Sequence, residues 1–207
     1  MTRLKSSARP KAGMAHVIQA LLAVAAALFL AACEGGAIAQ NTPVSNGQSF
    51  VQGSYSSTFY APGSRPAAPA VTGTTLTGRR FSLAAERGSV VVLNFWGAWC
   101  SDCRQEAPAL SALASHFKSA PVRFVGVDIE DNVPAALAFE QKFNISYPSL
   151  NDPGDQVALA FHGTVPPAGF PTTLVIDRTG HIAGRVVGEV SYNGLKALIA
   201  TVVAGRV

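Results

Sequence analysis

Apolar positions follow a different pattern in each part of this chain. Near the N-terminus they run without a break, and Ala20 to Ala32 is thirteen consecutive apolar residues. Between 34 and 70 they are sparse among Gly, Ser, Ala, Pro, Asn and Gln, apart from an aromatic patch over 50–60. From 71 onward, short runs of β-formers alternate with helical spacing, the mark of a folded unit.

Within 71–207 the pattern predicts individual elements. Residues 74–83 read as a hairpin turning near Thr77 and Gly78. The run 90–95 is continuously apolar and β-branched, as in a central strand covered on both faces. Ala107, Leu110, Ala114 and Phe117 fall on one face of a helix over 102–117. Pro108 removes a hydrogen bond there and should kink its axis. A second buried strand spans 122–128, followed by a helix over 134–143 with Pro134 in its first turn. A short helix is predicted over 155–161. The strand 172–177 turns through Arg178, Thr179 and Gly180 into a strand over 181–187. Ser191 caps a last helix whose stripe is Leu195, Leu198, Ile199 and Val202. Strand and helix alternate before a closing hairpin and helix, which specifies an α/β fold with a central mixed β-sheet flanked by helices.

Charge adds little to the folded part. The formal charge of +4 comes from Arg3, Lys5, Arg9 and Lys11, and the remaining twelve basic residues balance the twelve acidic ones. No nucleic-acid-binding face is expected. Basic residues before a thirteen-residue apolar run suit a signal peptide, because a helix needs about 20 apolar residues to span a bilayer. The run ends Leu30-Ala31-Ala32-Cys33, which resembles a bacterial lipobox. That resemblance implies residues 1–33 as signal peptide, lipid attachment at Cys33, and an extracytoplasmic protein anchored to the cell membrane. A plain secretory signal or an uncleaved anchor would leave Cys33 incidental, and in either case the domain lies where disulfides persist. Most of 34–70 reads as a flexible tether with an r.m.s. span of roughly 30–35 Å. The aromatic patch is open to packing on the domain edge.

With Cys33 assigned to lipid, only Cys100 and Cys103 remain. Structural zinc wants four ligands, and neither a second CxxC nor an HxxxH spacing is present. A disulfide across so short a loop removes little chain entropy and is a poor staple. Redox work is left. Cys100 closes a strand-to-helix turn, where unpaired N–H groups and the helix dipole favour a thiolate. Only the thiolate attacks a disulfide, and Cys103 one turn deeper can displace the partner.

Trp99-Cys100-Ser101-Asp102-Cys103, the preceding 91–96, and Gly169-Phe170-Pro171-Thr172-Thr173 before a strand resemble the thioredoxin superfamily. Asn94, the run 103–108 and the lead-in from Gly88 resemble its TlpA/ResA/DsbE-like branch of exported, membrane-tethered proteins. The resemblance covers 71–207, and it implies a thioredoxin-like fold with an extra N-terminal β-hairpin. It also implies a thiol–disulfide oxidoreductase with no cofactor and no metal. Cys100 and Cys103 are then catalytic. Pro171 matches the family's cis-proline, and backbone groups of Phe170 pair with an incoming chain. Trp99 shields the sulfurs and shapes the docking surface. Asn94 stands where cytoplasmic thioredoxins carry a buried acid, so the proton relay moves to Glu106, three residues along the helix from Cys103. Trp96 serves the site or the core. Pro166 and Pro167 read as loop.

One departure stands between the cysteines, where the family usually ends with proline and this chain has Asp102. Its charge disfavours a thiolate and makes the couple more reducing. The implied partners are exported proteins with cysteines or disulfides and an integral membrane redox protein. A reductant, as in cytochrome c maturation or disulfide repair, competes with a disulfide-forming oxidant. Thiol peroxidase would want Pro-x-x-x-Thr-x-x-Cys around Cys100, and a copper chaperone would want CxxxC with a histidine. Neither pattern is here. His116, His162 and His181 read as solvent or packing residues, and Glu130-Asp131 as a solvated loop.

Overall fold

The computed structural model describes residues 49–52 and 55–205. The expected signal peptide and Cys33 lie outside the described residues. Nine strands are present among them: β1 Ser49–Gln52, β2 Tyr55–Phe59, β3 Thr72–Thr74, β4 Arg80–Ser82, β5 Val90–Trp96, β6 Val122–Ile129, β7 Ser149–Asp152, β8 Thr172–Ile176 and β9 Ile182–Val187. The helices are α1 Ser101–His116, α2 Val133–Phe143, α3 Gln156–Ala160 and α4 Tyr192–Val203.

Seven strands form one sheet in the order β1-β2-β9-β8-β5-β6-β7. β5, β6 and β7 run parallel, while β8 pairs with β5 and β9 in antiparallel fashion. This mixed sheet with flanking helices is the expected class, and β3–β4 is the expected extra hairpin, with Gly78 at φ +80° in its turn. Thr75 bridges to Leu150, which ties the hairpin to β7.

β5 is buried along its whole length because both of its faces are covered. Val91, Leu93 and Phe95 face a core shared with Val157 and Phe161 of the α3 segment. Val90 and Val92 face Leu110 and Leu113 of α1 and Leu195, Leu198 and Ile199 of α4. A third cluster, around Trp96, Cys100, Cys103, Ala107, Ala136 and Phe139, packs α2 against the start of α1. α1 starts and stops where its pattern predicts, with Pro108 inside it.

The folded part begins earlier than residue 71. β2 pairs with β9 from Ser56↔Val187 to Phe59↔Gly184, and β1 pairs with β2. Tyr60 and Ala68 pack on the core. Composition underestimated this stretch because an edge strand is held by main-chain bonds to a neighbour that local sequence does not reveal. β7 was also unforeseen. Its Ser-Leu-Asn-Asp sequence carries no apolar run, yet it pairs in parallel with β6.

Arg65 anchors the entering chain to the β8–β9 turn. Its Nη1 donates to Asp177 Oδ2 at 2.7 Å, and Asp177 Oδ1 accepts from Thr179 N, Thr179 Oγ1 and His181 N. Burial alone would raise the Asp177 pKa, but the bonds from Thr179, Arg65 and His181 outweigh it and hold the carboxyl at about 2. A depressed carboxyl contributes stability that is complete above its unfolded value of 3.8 and is lost as pH falls through about 2. Asp177→Asn should therefore cost about 1–3 kcal/mol at pH 7. In thermal unfolding the deficit should shrink as pH approaches 2.

Candidate active site

Both cysteines sit at the head of α1. Cys100 is the N-cap, in extended conformation at the end of the turn from β5, and its Sγ accepts from Cys103 N at 3.1 Å. The two sulfurs form a disulfide of 2.14 Å. Cys100 retains 6% exposure and Cys103 only 1%, so the pair has an outer and an inner member. The helix start surrounds the outer sulfur with N–H groups, the environment that favours a thiolate once the bond is reduced.

The turn carrying Cys100 is clamped on both sides of Ala98. Its N–H donates to Asp131 Oδ2, and its carbonyl accepts from Arg104 Nε at 2.9 Å. Trp99 Nε1 donates to the Ile129 carbonyl at 3.4 Å, so half of the indole stays exposed beside the sulfurs. Gly97 makes this possible, since a Cβ there would come within 2.5 Å of Trp99 Nε1. Asp131 is thus a structural partner of the redox turn and not the solvated loop residue that the sequence suggested. Glu130 beside it is exposed. Asp102 faces its own helix turn, accepting from Ser101 Oγ at 3.1 Å and Gln105 Nε2 at 3.3 Å.

Beneath the sulfurs lies Glu106, 1% exposed. Asn94 Nδ2 donates to its Oε1 at 2.7 Å and also to Thr173 Oγ1 at 3.0 Å, while Val190 N donates to Oε2 at 2.9 Å. Asn94 and Thr173 are register partners across β5 and β8, so the sheet itself builds the cradle. Burial pushes the Glu106 pKa up to about 8 against the opposing bonds from Val190 and Asn94, and the charges of Glu189 and Asp102 add to the rise. A carboxyl titrating there matches an ordinary thiol, near 8.5, far better than a free glutamate does. It sits three positions from Cys103 on the same helix, one turn deeper.

A small cavity behind Cys103 is lined by Asn94, Trp96, Phe139, Ile145 and Tyr147. Trp96 is 3% exposed and stacks on Phe139 with ring centroids 4.3 Å apart, so it belongs to the core. Burial raises the Tyr147 phenol above its usual range, with Glu106 and Glu140 contributing. A second buried acid, Asp128, is in register with Trp96 and fully buried. Burial first, then the adjacent Asp131 carboxyl, pushes its pKa up to about 8. Neither Asp128 oxygen has a hydrogen-bond partner among the described residues. Within the run 122–128 an aspartate in an apolar strand was the one available signal, and only the pairing with β5 gives it meaning.

The Phe170–Pro171 bond is cis, whereas Pro166 and Pro167 are trans. Thr172 opposes Phe95, which brings Pro171 level with Trp96 at the redox end of the sheet. None of the hydrogen bonds among the described residues uses the backbone of Phe170. The structure therefore gathers Cys100, Cys103, Glu106, Trp99, Phe170 and Pro171 at one end of β5. The histidines stay apart from it: His116 and His162 are exposed, and His181 bonds within its turn.

Known proteins are similar to this chain in sequence and in fold. The sequence profile described as the AhpC/TSA family matches residues 65–185. Thiol-disulfide oxidoreductase ResA of Bacillus cereus is 28% identical over 132 residues, covering 64% of this chain and 74% of that protein. A secreted thiol-disulfide isomerase from Corynebacterium glutamicum superposes with a TM-score of 0.68 at 28% identity, over 72% of this chain and 92% of its own. A DsbF homologue from Corynebacterium diphtheriae gives 0.67 at 31% identity, over 76% and 99%.

Proposed function

We propose a function on the premise that this chain belongs to the AhpC/TSA family and, within it, is a ResA/DsbE-like thiol–disulfide oxidoreductase. It acts outside the cytoplasm, held at the membrane through Cys33, as a reductant of disulfides in exported proteins. The observation that carries the reading is the cysteine pair capping α1 with Glu106 buried one turn below.

In the reduced protein, the Cys100 thiolate attacks one sulfur of the client disulfide. A new S–S bond forms to Cys100, the client bond breaks, and the departing client sulfur leaves as a thiolate that takes a proton from solvent. The Cys103 thiol passes its proton to Glu106 and attacks Cys100, closing the protein disulfide and releasing the second client sulfur as a thiolate, which takes up the proton that Glu106 gives back. Two electrons have moved to the client. Restoring the dithiol requires two electrons from outside, the role of an integral membrane donor. Cytochrome c maturation and repair of mispaired disulfides both present such clients.

Asp102 supports this direction: in the first turn of α1 its charge opposes a thiolate and favours a more reducing couple, against the helix start and the Arg104 cation on the Ala98 carbonyl. Equilibrating the protein with glutathione or dithiothreitol should give a potential more negative than about −200 mV, with the pair mainly reduced when cells are quenched and alkylated. A potential near about −120 mV with an oxidised pair in cells would reverse the assignment to a disulfide-forming oxidant.

A further inference from the structure

Acidic and basic residues of the folded part balance in number but not in place. Asp102, Glu130, Asp131 and Glu189 gather at the cysteine end of the sheet. The opposite end, where β5 and β6 begin, is basic. Arg79, Arg80 and Arg123 line one cavity there, of about 200 Å³, together with Thr75 and Thr77. Arg87 leads into β5 and donates from Nη1 to the Thr179 carbonyl, and Gly88 N donates to the Arg178 carbonyl at 2.9 Å. Lys118 lies in the turn that delivers Pro121, whose carbonyl accepts from Val90 N at 2.9 Å. All six cations are exposed. Asp177 is taken up by Arg65 at 2.7 Å, which leaves Glu86, 3.9 Å from Arg123, to offset them.

This end does not serve the sulfurs. β5 has seven residues, so at about 3.3 Å each it sets the two ends roughly 20 Å apart. Fields of exposed charges fade over about 8 Å at physiological ionic strength, so the six cations do not reach the Cys100 thiolate. A ligand held there leaves thiol exchange open. Five of the six are arginines, whose planar fork pairs with phosphate through two bonds at once. A single water needs about 10–15 Å³ of cavity, so 200 Å³ admits a phosphate group. Clusters of about four to eight Lys and Arg beside a membrane anchor mark attraction to anionic lipid.

We propose that this basic end docks on an anionic phospholipid membrane, with a headgroup phosphate entering the cavity lined by Arg79, Arg80 and Arg123. The proposal rests on the membrane-held reading above. In the docked pose the cysteines stand roughly 20 Å from the lipid and face exported clients. An attraction that fades over about 8 Å lets the domain lift off to meet a membrane donor.

The test partitions the full chain between vesicles of phosphatidylcholine and vesicles of phosphatidylcholine and phosphatidylglycerol in equal parts. Sedimentation should show a preference for the anionic vesicles that fades as salt rises. The side chains of Arg79, Arg80 and Lys118 make no hydrogen bond or ion pair among the described residues, so they can be changed without unfolding the chain. Reversing them together, as Arg79→Glu, Arg80→Glu and Lys118→Glu, should cut the preference at least about tenfold. Arg79→Gln with Arg80→Gln should lower it to an intermediate value. Lys196→Glu, which removes the same net charge on α4, should leave it within about twofold. A preference untouched by both variants of the basic end, or lowered as much by Lys196→Glu, would overturn the proposal. Release from the vesicles by short duplex DNA at the same phosphate concentration would overturn it too, by assigning the surface to nucleic acid. Reduction of hydroxyethyl disulfide at an unchanged rate checks that each variant is folded. Failure of the unmodified chain to reduce it would sink the thiol-exchange reading and leave the docking result standing.

Discussion

Replacing Cys103 with serine should turn a catalyst into a trap. Cys100 keeps its place at the N-cap, since the bond it accepts comes from the backbone N of residue 103 and survives the change. It still attacks client disulfides, but the buried inner thiol that would resolve the adduct is gone. Turnover should fall to the uncatalysed background, while covalent adducts accumulate as slower bands on non-reducing gels. Cys100→Ser should give neither turnover nor adducts. Adducts on Cys100→Ser and none on Cys103→Ser would exchange the roles assigned here.

Glu106→Gln should slow resolution by roughly 10²–10⁴-fold, the usual worth of a positioned acid or base. The more decisive readout is the pH profile. Wild-type resolution should show a limb near pH 8, where Glu106 changes state, and the glutamine variant should lack it. A purely structural glutamate would leave that limb in place. Stability provides a second readout. The folded pKa is raised from 4.5 to about 8, so the acid's contribution is complete below 4.5 and is lost as pH rises through 8. Glutamine presents an amide nitrogen to two donors, Asn94 and Val190, and forfeits one bond, at about 1–3 kcal/mol. The variant should thus be less stable than wild type at pH 5 and should close the gap by pH 9. Thermal unfolding at the two values would reveal a constant gap if the carboxyl did not titrate.

Much of this was legible in the sequence because the responsible signals are local. A fully covered strand must be apolar along its length, and 90–95 is. A redox pair needs a helix start, and Cys100 occupies one. Glu106 was reachable through helical spacing, because three residues along α1 is a neighbouring position. What stayed hidden depends on pairing between distant parts. Asn94 reaches Thr173 across 79 residues while holding Glu106, and Val190 reaches Glu106 across 84. Asp131 looks like a loop acid until β6 delivers it to Ala98 N, and Asp128 looks like a strand interruption until pairing with β5 buries it opposite Trp96. β2 and β7 take their conformation from β9 and β6. Chain-local patterns hold no record of those neighbours.

The pairing of β2 on β9 also bears on how the protein behaves when shortened. An unoccupied row of main-chain donors and acceptors on a flat strand invites another copy to add there. A fragment cut at residue 71, where the family resemblance begins, would strip that cover from β9 and leave a self-adhesive border. The segment before residue 71 therefore does more than connect: it moves that border of the sheet outward from β9 to β1.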